Sequence, residues 1–381
     1  MLTTPDLPRC RQSVPVSATR TGEKTLSGDV VFAGVSAAHD GSRPDRVPGA
    51  YAPMVLAAVA GTSGGGGDLA ATSLSAAGSW TAGGSGGGFS YDYPITLPSP
   101  PAGEPPKLSL SYASGAVDGA TSATNNQASW IGDGWGLSVG GYIERQYKPC
   151  AQDLGGNNGQ TKTGDQCWAT DNATMTLGSA SGPLVRDQAT GTWRPRSDDG
   201  SRVERLTGAA NGAVDGEHWR VTTTDGTQFF FGLNRLPGWT AGTPETQSTF
   251  TTPVFGNNTG EPCYQAAYAS SWCQQAYRWN LDYVVDPYGN QVTFHYQPEI
   301  NHYGLNRNTT TAGTPYTRGG HLLRIDYGLN TKAGGAYAHA PARIVFDAAE
   351  RCLPSGAVTC DPAQLNSDTA SSWPDVPADL I

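Results

Sequence analysis

Residues Phe89 to Gly115 read FSYDYPITLPSPPAGEPPKLSLSYASG, and this stretch predicts two β-strands joined by a stiff, proline-rich connection. Every second residue of each strand is apolar, which is the side-chain period of a strand with one buried face. The prolines between the strands exclude a helix there, because proline lacks an N–H group and clashes with the preceding turn. Pro94 interrupts the first strand, which therefore lies at a sheet edge or is paired on one side only at that point. One apolar face and one polar face indicate antiparallel sheet.

The composition favours an all-β chain. The 381 residues include 50 glycines and 27 prolines without a collagen-like period, and only 15% are charged. Such a profile is typical of many short strands joined by tight turns, and no segment has the pattern of an amphipathic helix of about ten residues or more. The net charge is −9 and no basic stripe is present. Nucleic-acid binding is therefore disfavoured.

A first hairpin is predicted at Trp219–Phe231, where the sequence is WRVTTTDGTQFFF. Its Asp225-Gly226 pair is a strong short-range signal for a hairpin. The turn should bring Trp219 and Val221 towards Phe229 and Phe231 across the strand pair.

A second hairpin is predicted at Tyr277–Tyr296, with its turn at Asp286, Pro287, Gly289 and Asn290. We expect four residues of the first strand to share one face with three of the returning strand: Trp279, Leu281, Tyr283 and Val285 with Val292, Phe294 and Tyr296. The same alternation predicts that Asp282 and His295 lie on the outer, polar face. Weaker strand patterns occur at residues 184–186, 191–196, 322–327 and 343–346.

Residues 1–88 are predicted to form a flexible, linker-like segment, and residues 89–381 the β-rich region. The runs at 61–67 and 81–88 consist almost entirely of Gly, Ser, Thr and Ala, which bury too little apolar area to offset chain entropy. A short strand is predicted at Asp29–Phe32. Two G-x-S-x-G matches, at Ser63 and Ser85, lack the strand and helix that a nucleophile elbow requires, so we interpret them as chance.

No apolar run approaches the roughly 20 residues that a membrane-spanning helix needs. The longest candidate, Ala50–Ala60, is short and contains Pro53, and the first residues lack the apolar core of a signal peptide. We therefore expect either a signal located upstream or a different export route.

Seven cysteines indicate an oxidising, extracellular compartment. Six cysteines allow 15 pairings, and we predict the near-neighbour set because the first two pairs bracket polar Gly/Asn/Gln-rich loops: Cys150–Cys167, Cys263–Cys273 and Cys352–Cys360. Cys360 could alternatively pair beyond this sequence, and Cys10 is left over. A zinc site is the rival interpretation, but no C-x-x-C motif and no histidine at finger spacing supports it.

No residue pattern points to a catalytic site, a cofactor or a metal. The six histidines are scattered along the chain. Asp198 and Asp199 precede Gly200, and this pattern is typical of a turn rather than of a pair of catalytic carboxylates. Calcium-loop and phosphate-loop motifs are absent from the sequence. The ten tryptophans could line a sugar-binding surface, although large aromatic side chains more often fill a core.

Three segments carry a family resemblance. Phe89–Gly115, together with SWIGDGWGL at residues 129–137 and YIER at 142–145, resembles the opening signature of SpvB/TcaC-type N-terminal regions. That region occurs in insecticidal toxin-complex B subunits and in large secreted Rhs-type proteins of actinobacteria. Residues 279–296 resemble the strand–turn–strand unit of Rhs and teneurin-type shells, and Tyr316–Gly328 resembles the segment that follows it. The matches extend from about Val55 to the end of the chain.

The resemblance implies a hollow β shell that encloses a C-terminal effector. The repeated Y-D-x-x-G-R motif of Rhs proteins is missing here. The chain is thus expected to be the N-terminal portion of a longer secreted protein, with downstream Rhs repeats of the same polypeptide as its partner.

Three functions remain open at this stage. The first is a non-catalytic shell or plug segment, and the second is an extracellular carbohydrate- or cell-wall-binding β module whose partner is a cell-surface glycan. The second is favoured if several Trp and Tyr side chains cluster exposed on one sheet. The third is a hydrolase, which requires a histidine within reach of an acid or a hydroxyl group.

Overall fold

The computed structural model describes residues 18–22, 25–28, 78–82, 87–118, 129–178, 180–308, 313–349, 352–364, 368–369 and 372. The chain divides into two compact units, Met1–Ser73 and Leu74–Ile381. In the first unit, strands β1 (Ala18–Gly22) and β2 (Thr25–Gly28) form an antiparallel hairpin. Most of the predicted linker, the strand predicted at Asp29–Phe32 and Cys10 lie outside the described residues.

The regular secondary structure described in the second unit is almost entirely β-strand, which confirms the all-β prediction. The strands are β3 (Ser79–Ala82), β4 (Phe89–Ile95), β5 (Leu108–Ala113), β6 (Trp135–Ser138), β7 (Gly141–Glu144), β8 (Lys148–Pro149), β9 (Gln166–Cys167), β10 (Thr174–Leu177), β11 (Ala180–Arg186), β12 (Trp193–Pro195), β13 (Arg202–Leu206), β14 (His218–Thr222), β15 (Gln228–Phe231), β16 (Thr249–Phe255), β17 (Trp272–Val285), β18 (Asn290–Tyr303), β19 (Thr314–Asn330) and β20 (Ala342–Val345). The α-helical part is α1 (Gly115–Asp118), and short 3-10 segments lie at Cys150–Gln152, Val214–Gly216, Tyr268–Ser270, Leu305–Arg307, Thr331–Ala333, Gly335–Tyr337 and Pro362–Gln364.

Eight strands close into a ring. They follow the order β7-β10-β11-β12-β13-β14-β15-β17, and β17 closes the circle because it also pairs with β7. Each of the eight contributes a buried apolar side chain to one cluster: Ile143, Met175, Leu184, Trp193, Val203, Trp219, Val221, Phe231, Trp279 and Leu281. Alternating side chains therefore give the ring a shared core.

Further strands extend from β17. β16 pairs with β17 and, in parallel, with β9, which in turn pairs with β8. The long strands β18 and β19 pair with each other over most of their length, and β20 pairs with β19.

A separate four-stranded sheet has the order β3-β4-β5-β6. Strand β3 (Ser79–Ala82) lies within the segment predicted to be linker-like and pairs with β4. The Gly/Ser-rich composition hid this strand, and its one large side chain, Trp80, lies opposite Tyr91. Pro94 pairs with β5 and lies beyond the part of β4 that β3 covers, so its missing N–H is tolerated.

The first predicted hairpin is present, and its two strands bring the expected aromatic and apolar residues together. Trp219 lies opposite Phe231, and Val221 lies opposite Phe229. Gly226 has a φ of +86°, a value that glycine adopts without strain. The Asp225 carboxylate accepts hydrogen bonds from the backbone N–H and the hydroxyl of Thr227, which fixes the turn.

The second hairpin has the predicted turn but a different strand face. The Asp286 carboxylate accepts hydrogen bonds from the backbone N–H groups of Tyr288 and Asn290, and Gly289 has a φ of +83°. The turn places Val292 opposite Val284 rather than on the face of Tyr283.

A β-bulge explains the difference. On the other side of β17, Phe230 lies opposite Tyr283 and Phe231 lies opposite Leu281. Asp282 is therefore an extra residue of β17 that has no residue of β15 opposite it. The bulge reverses the alternation, because one inserted residue moves every later side chain to the other face. Leu281 therefore packs in the ring core, whereas Tyr283 packs in a separate cluster with Leu236. The predicted single apolar face through Val285 is wrong for this reason.

Candidate functional site

A polar cleft of about 410 Å³ opens beside the ring. Nine residues line it: Arg145, Gln146, Tyr147, Gln166, Thr252, Tyr277, Tyr316, Thr317 and Arg318. They come from the segment between β7 and β8 and from strands β9, β16, β17 and β19. No sequence pattern indicates this cleft, because its residues are distant in the chain.

A disulfide fixes one wall of the cleft. Cys150 and Cys167 are bonded to each other and completely buried. Gln166 precedes Cys167 and lies opposite Val254 in the parallel pair of β9 and β16. The covalent link therefore holds the side chain of Gln166 near the segment that carries Gln146.

The cleft residue Arg145 belongs to a buried ion-pair network. The Arg145 guanidinium donates two hydrogen bonds to the Glu217 carboxylate, each with a nitrogen–oxygen distance of 2.9 Å. It also lies 5.1 Å from the ring centroids of both Trp168 and Trp279. Arg205 contacts Glu217 at 3.0 Å. The guanidinium N–H groups of Arg145 already donate hydrogen bonds to protein groups. Arg145 therefore serves chiefly to hold the cleft to the ring.

Two tyrosines of the cleft are held in place by hydrogen bonds from their hydroxyl groups to backbone carbonyls. The Tyr277 hydroxyl donates to the backbone carbonyl of Thr317 at 3.0 Å, and burial raises the pKa of Tyr277 to about 12. The Tyr147 hydroxyl donates to the carbonyl of Ala276 at 2.6 Å, and burial raises its pKa further still. Both phenols therefore stay protonated, and they contribute ring surfaces to the cleft.

Other polar groups of the cleft are free to bind a ligand. The side chains of Gln146, Gln166, Thr252 and Tyr316 make no hydrogen bond to another residue that the structure describes. Among the residues that the structure describes, the Arg318 side chain is held by an ion pair with Glu299 at 3.7 Å, in which both side chains are partly exposed. These groups converge on one space from four separate segments.

A second surface feature is a row of aromatic side chains across the four-stranded sheet. Trp80 lies opposite Tyr91, Tyr91 opposite Tyr112, and Tyr112 opposite Trp135. The ring centroids are 4.4 Å apart for Trp80 and Tyr91, 6.3 Å for Tyr91 and Trp135, and 5.4 Å for Tyr112 and Trp135. Trp80 is 71% exposed, and the neighbouring Phe89 is 41% exposed. We call Trp80, Phe89, Tyr91, Tyr112 and Trp135 the aromatic row.

Asp282 is the most deeply buried acid described, which corrects the prediction that it lies on the outer face. Its Oδ2 atom accepts hydrogen bonds from the Asn234 N–H and from the hydroxyls of Thr246 and Ser248, at 2.7–2.9 Å. Burial raises the pKa of Asp282 to about 6, against the effect of these donors. The carboxyl group locks the bulge of β17 onto the loop before β16.

His295 is also buried, which corrects the prediction of an exposed histidine. Burial, together with the nearby charge of Arg324, lowers the pKa of His295 to about 4. The Thr293 hydroxyl at 3.4 Å and the Asp326 carboxylate at 4.0 Å both approach the same ring nitrogen, Nε2. A catalytic triad requires the hydroxyl and the acid at opposite ring nitrogens. This arrangement lacks that geometry, and Asp326 is engaged by Arg324 and Arg343.

The remaining residues that the sequence singles out are disulfide cysteines and turn residues. The structure joins Cys150 to Cys167, Cys263 to Cys273, and Cys352 to Cys360. In the part of the chain that is described, no group of three or more His, Cys, Asp or Glu side chains is arranged to hold a metal ion. Within the same residues no helix is long and apolar enough to cross a membrane. Asp198 and Asp199 each bind the backbone N–H two residues ahead, as turn residues do.

The tryptophans divide between core and surface. Trp168, Trp193, Trp219 and Trp279 are buried, as a core role requires. Those in the aromatic row remain partly or largely accessible.

Comparison with known proteins gives structural likenesses at low identity. No protein-family model and no curated protein matches the chain. TcdB2-TccC3 is 18% identical, with a TM-score of 0.39 over 73% of this chain. The N-terminal domain of the effector protein SpvB from Salmonella typhimurium strain LT2 is 16% identical, with a TM-score of 0.33, covering 70% of this chain and 78% of that one. The Photorhabdus luminescens Tc holotoxin pore is 16% identical, with a TM-score of 0.35 over 74% of this chain. This chain covers 12% of the TcdB2-TccC3 chain and 12% of the holotoxin chain.

Proposed function

We propose that the chain is a non-catalytic structural segment of a larger, secreted β shell. The observation that carries the proposal is the open edge of the sheet at β20. Among the described residues, β20 pairs only with β19, and its Val345 is 57% exposed. An edge strand with an exposed apolar side chain is a template for another strand. In the proposed protein, the next shell segment supplies that strand.

The interior chemistry is consistent with this role. The buried ionisable groups Arg145, Asp282 and His295 each bind protein groups and join distant segments of the chain. Three disulfides suit a protein that works outside the cell, where such bonds persist. A shell that encloses an effector needs such rigidity and no reactive group of its own.

The state of association tests the shell proposal. The 381-residue chain, produced in an oxidising compartment, should self-associate with increasing concentration in size-exclusion chromatography with light scattering. Val345→Lys should reduce the association, because a charge on an edge strand opposes pairing. Leu353→Lys is the matched control, since Leu353 is equally exposed at 58% but lies outside any strand. A chain that stays monomeric at every concentration, with or without Val345→Lys, would contradict the proposal.

A second candidate function is an extracellular glycan-binding module, and the aromatic row is the observation that favours it. Aromatic side chains clustered at the surface provide apolar faces on which sugar rings can stack. Retention on insoluble cell-wall polysaccharide tests this function, with Trp80→Ala as the variant that removes the most exposed ring. Equal elution of both proteins in the presence and absence of the polysaccharide would exclude it.

A further inference from the structure

We propose that the polar cleft beside the disulfide Cys150–Cys167 binds a single, electrically neutral sugar unit. This inference rests on the second candidate function and assigns it a defined site. The cleft is distinct from the aromatic row, which lies on the four-stranded sheet.

The hydrogen-bonding groups of the cleft suit a polyhydroxylated ligand. A sugar hydroxyl donates and accepts at once, and so does the amide of a glutamine or the hydroxyl of a threonine or tyrosine. Gln146, Gln166, Thr252 and Tyr316 supply four such groups, none of them bonded to another described residue. Two amides that face the same space can each bind neighbouring hydroxyls of one ring.

The size and the apolar surface of the cleft fit the same ligand. Its volume of about 410 Å³ lies at the lower end of the range for small-molecule sites, roughly 300–1,000 Å³. Tyr277 and Tyr316 contribute aromatic rings, which pack well against the C–H faces of a sugar. The Tyr277 ring is held in place by the hydrogen bond from its hydroxyl to Thr317.

The charges around the cleft favour a neutral ligand over an anion. Two arginines line the space and no carboxylate does. However, the Arg145 charge is balanced by Glu217, and the Arg318 charge is partly balanced by Glu299. A phosphate or carboxylate would have to compete with these acids for the guanidinium groups.

Calorimetric titration of the full chain with neutral monosaccharides tests the proposal. The panel is glucose, galactose and N-acetylglucosamine, with glucuronic acid as the charged comparison. At least one neutral sugar should bind, and Gln166→Leu and Gln146→Leu should each weaken that binding by about tenfold, the loss of one or two hydrogen bonds. Gln160→Leu is the matched control, because Gln160 is exposed in the same disulfide-closed loop but does not line the cleft.

The outcomes separate this inference from the function on which it rests. If Trp80→Ala abolishes retention on polysaccharide while neither cleft variant changes sugar binding, the glycan-binding function stands and the cleft assignment is wrong. If the unaltered chain binds no glycan of either kind, both fail. Stronger binding of glucuronic acid than of every neutral sugar would overturn the assignment of a neutral ligand. Thermal unfolding of the glutamine variants, expected to match the parent, shows that any loss of binding is local.

Discussion

The substitution Arg145→Met should destabilise the chain by about 3 kcal/mol. It leaves the Glu217 carboxylate, whose side chain is only 7% exposed, without its two-point partner. Breaking a buried ion pair from one side typically costs about 3–5 kcal/mol, since the remaining charge stays in a poorly solvated site. We expect the lower end of that range, because Arg205 still contacts Glu217 at 3.0 Å.

Urea unfolding followed by tryptophan fluorescence measures this effect, since Trp168 and Trp279 flank Arg145. The double variant Arg145→Met/Glu217→Gln should recover much of the loss, because it removes the orphaned charge together with its partner. Arg202→Met is the control for an exposed pair, since Arg202 binds Glu204 at 2.8 Å with its side chain 75% exposed. Exposed pairs contribute at most about 1 kcal/mol. If Arg145→Met costs no more than Arg202→Met, the buried ion pair does not stabilise the contact between the segment after β7 and the residue before β14.

Three further outcomes follow from the same structure. The pKa of Asp282 is raised to about 6 in the folded chain, whereas in the unfolded chain it is near 4. The protonated carboxyl group therefore adds stability that is fully present below about pH 4 and is lost as the pH rises through about 6. Asp282→Asn should remove this pH dependence from the free energy of urea unfolding. The pKa of His295 is lowered to about 4, so the neutral ring adds stability that is present above about pH 6.5 and is lost as the pH falls through 4. His295→Gln should therefore make the free energy of unfolding less sensitive to acid. An unchanged dependence of that free energy on pH would contradict the burial of His295. Gly289→Val and Gly226→Val should each cost more than about 1 kcal/mol in thermal unfolding because of their positive φ. The loss should be larger at Gly289, where an added Cβ would lie 2.2 Å from the Thr331 hydroxyl oxygen, and near-neutral effects at both sites would refute the assigned turns.

Local turn chemistry made the hairpins predictable from sequence. Asp225 and Gly226 belong to a three-residue loop between Thr223 and Thr227, and the strands that it joins place Trp219 opposite Phe231. The disulfides are local as well, and each closes a short loop.

The strand faces near Asp282 could not be predicted, because the bulge depends on distant donors. The Asn234 N–H and the hydroxyls of Thr246 and Ser248 hold the extra residue inside. One signal was available in the consecutive apolar residues Tyr283 to Val285, since a run without alternation indicates burial on both faces.

The cleft and the burial of His295 depend on chain segments that only the fold brings together. Gln146, Gln166, Thr252 and Tyr316 belong to four segments, and no spacing rule connects them. His295 is buried because Arg324 and Asp326 on β19 lie beside it. Alternation along one strand describes that strand alone and carries no information about its neighbour.

The closure of the ring by β17 sets the point in synthesis at which this chain can complete its folding. Ile143 on β7 pairs with Trp279 on β17, so seven of the eight strands are synthesised before their closing partner exists. Contacts this far apart along a chain form slowly, because the loop must be closed before they contribute. A chain that emerges N-terminus first therefore carries an unclosed apolar sheet until Arg278 to Asn280 have appeared, and during that interval it is open to aggregation. Any truncation that ends before β17 makes this transient state permanent.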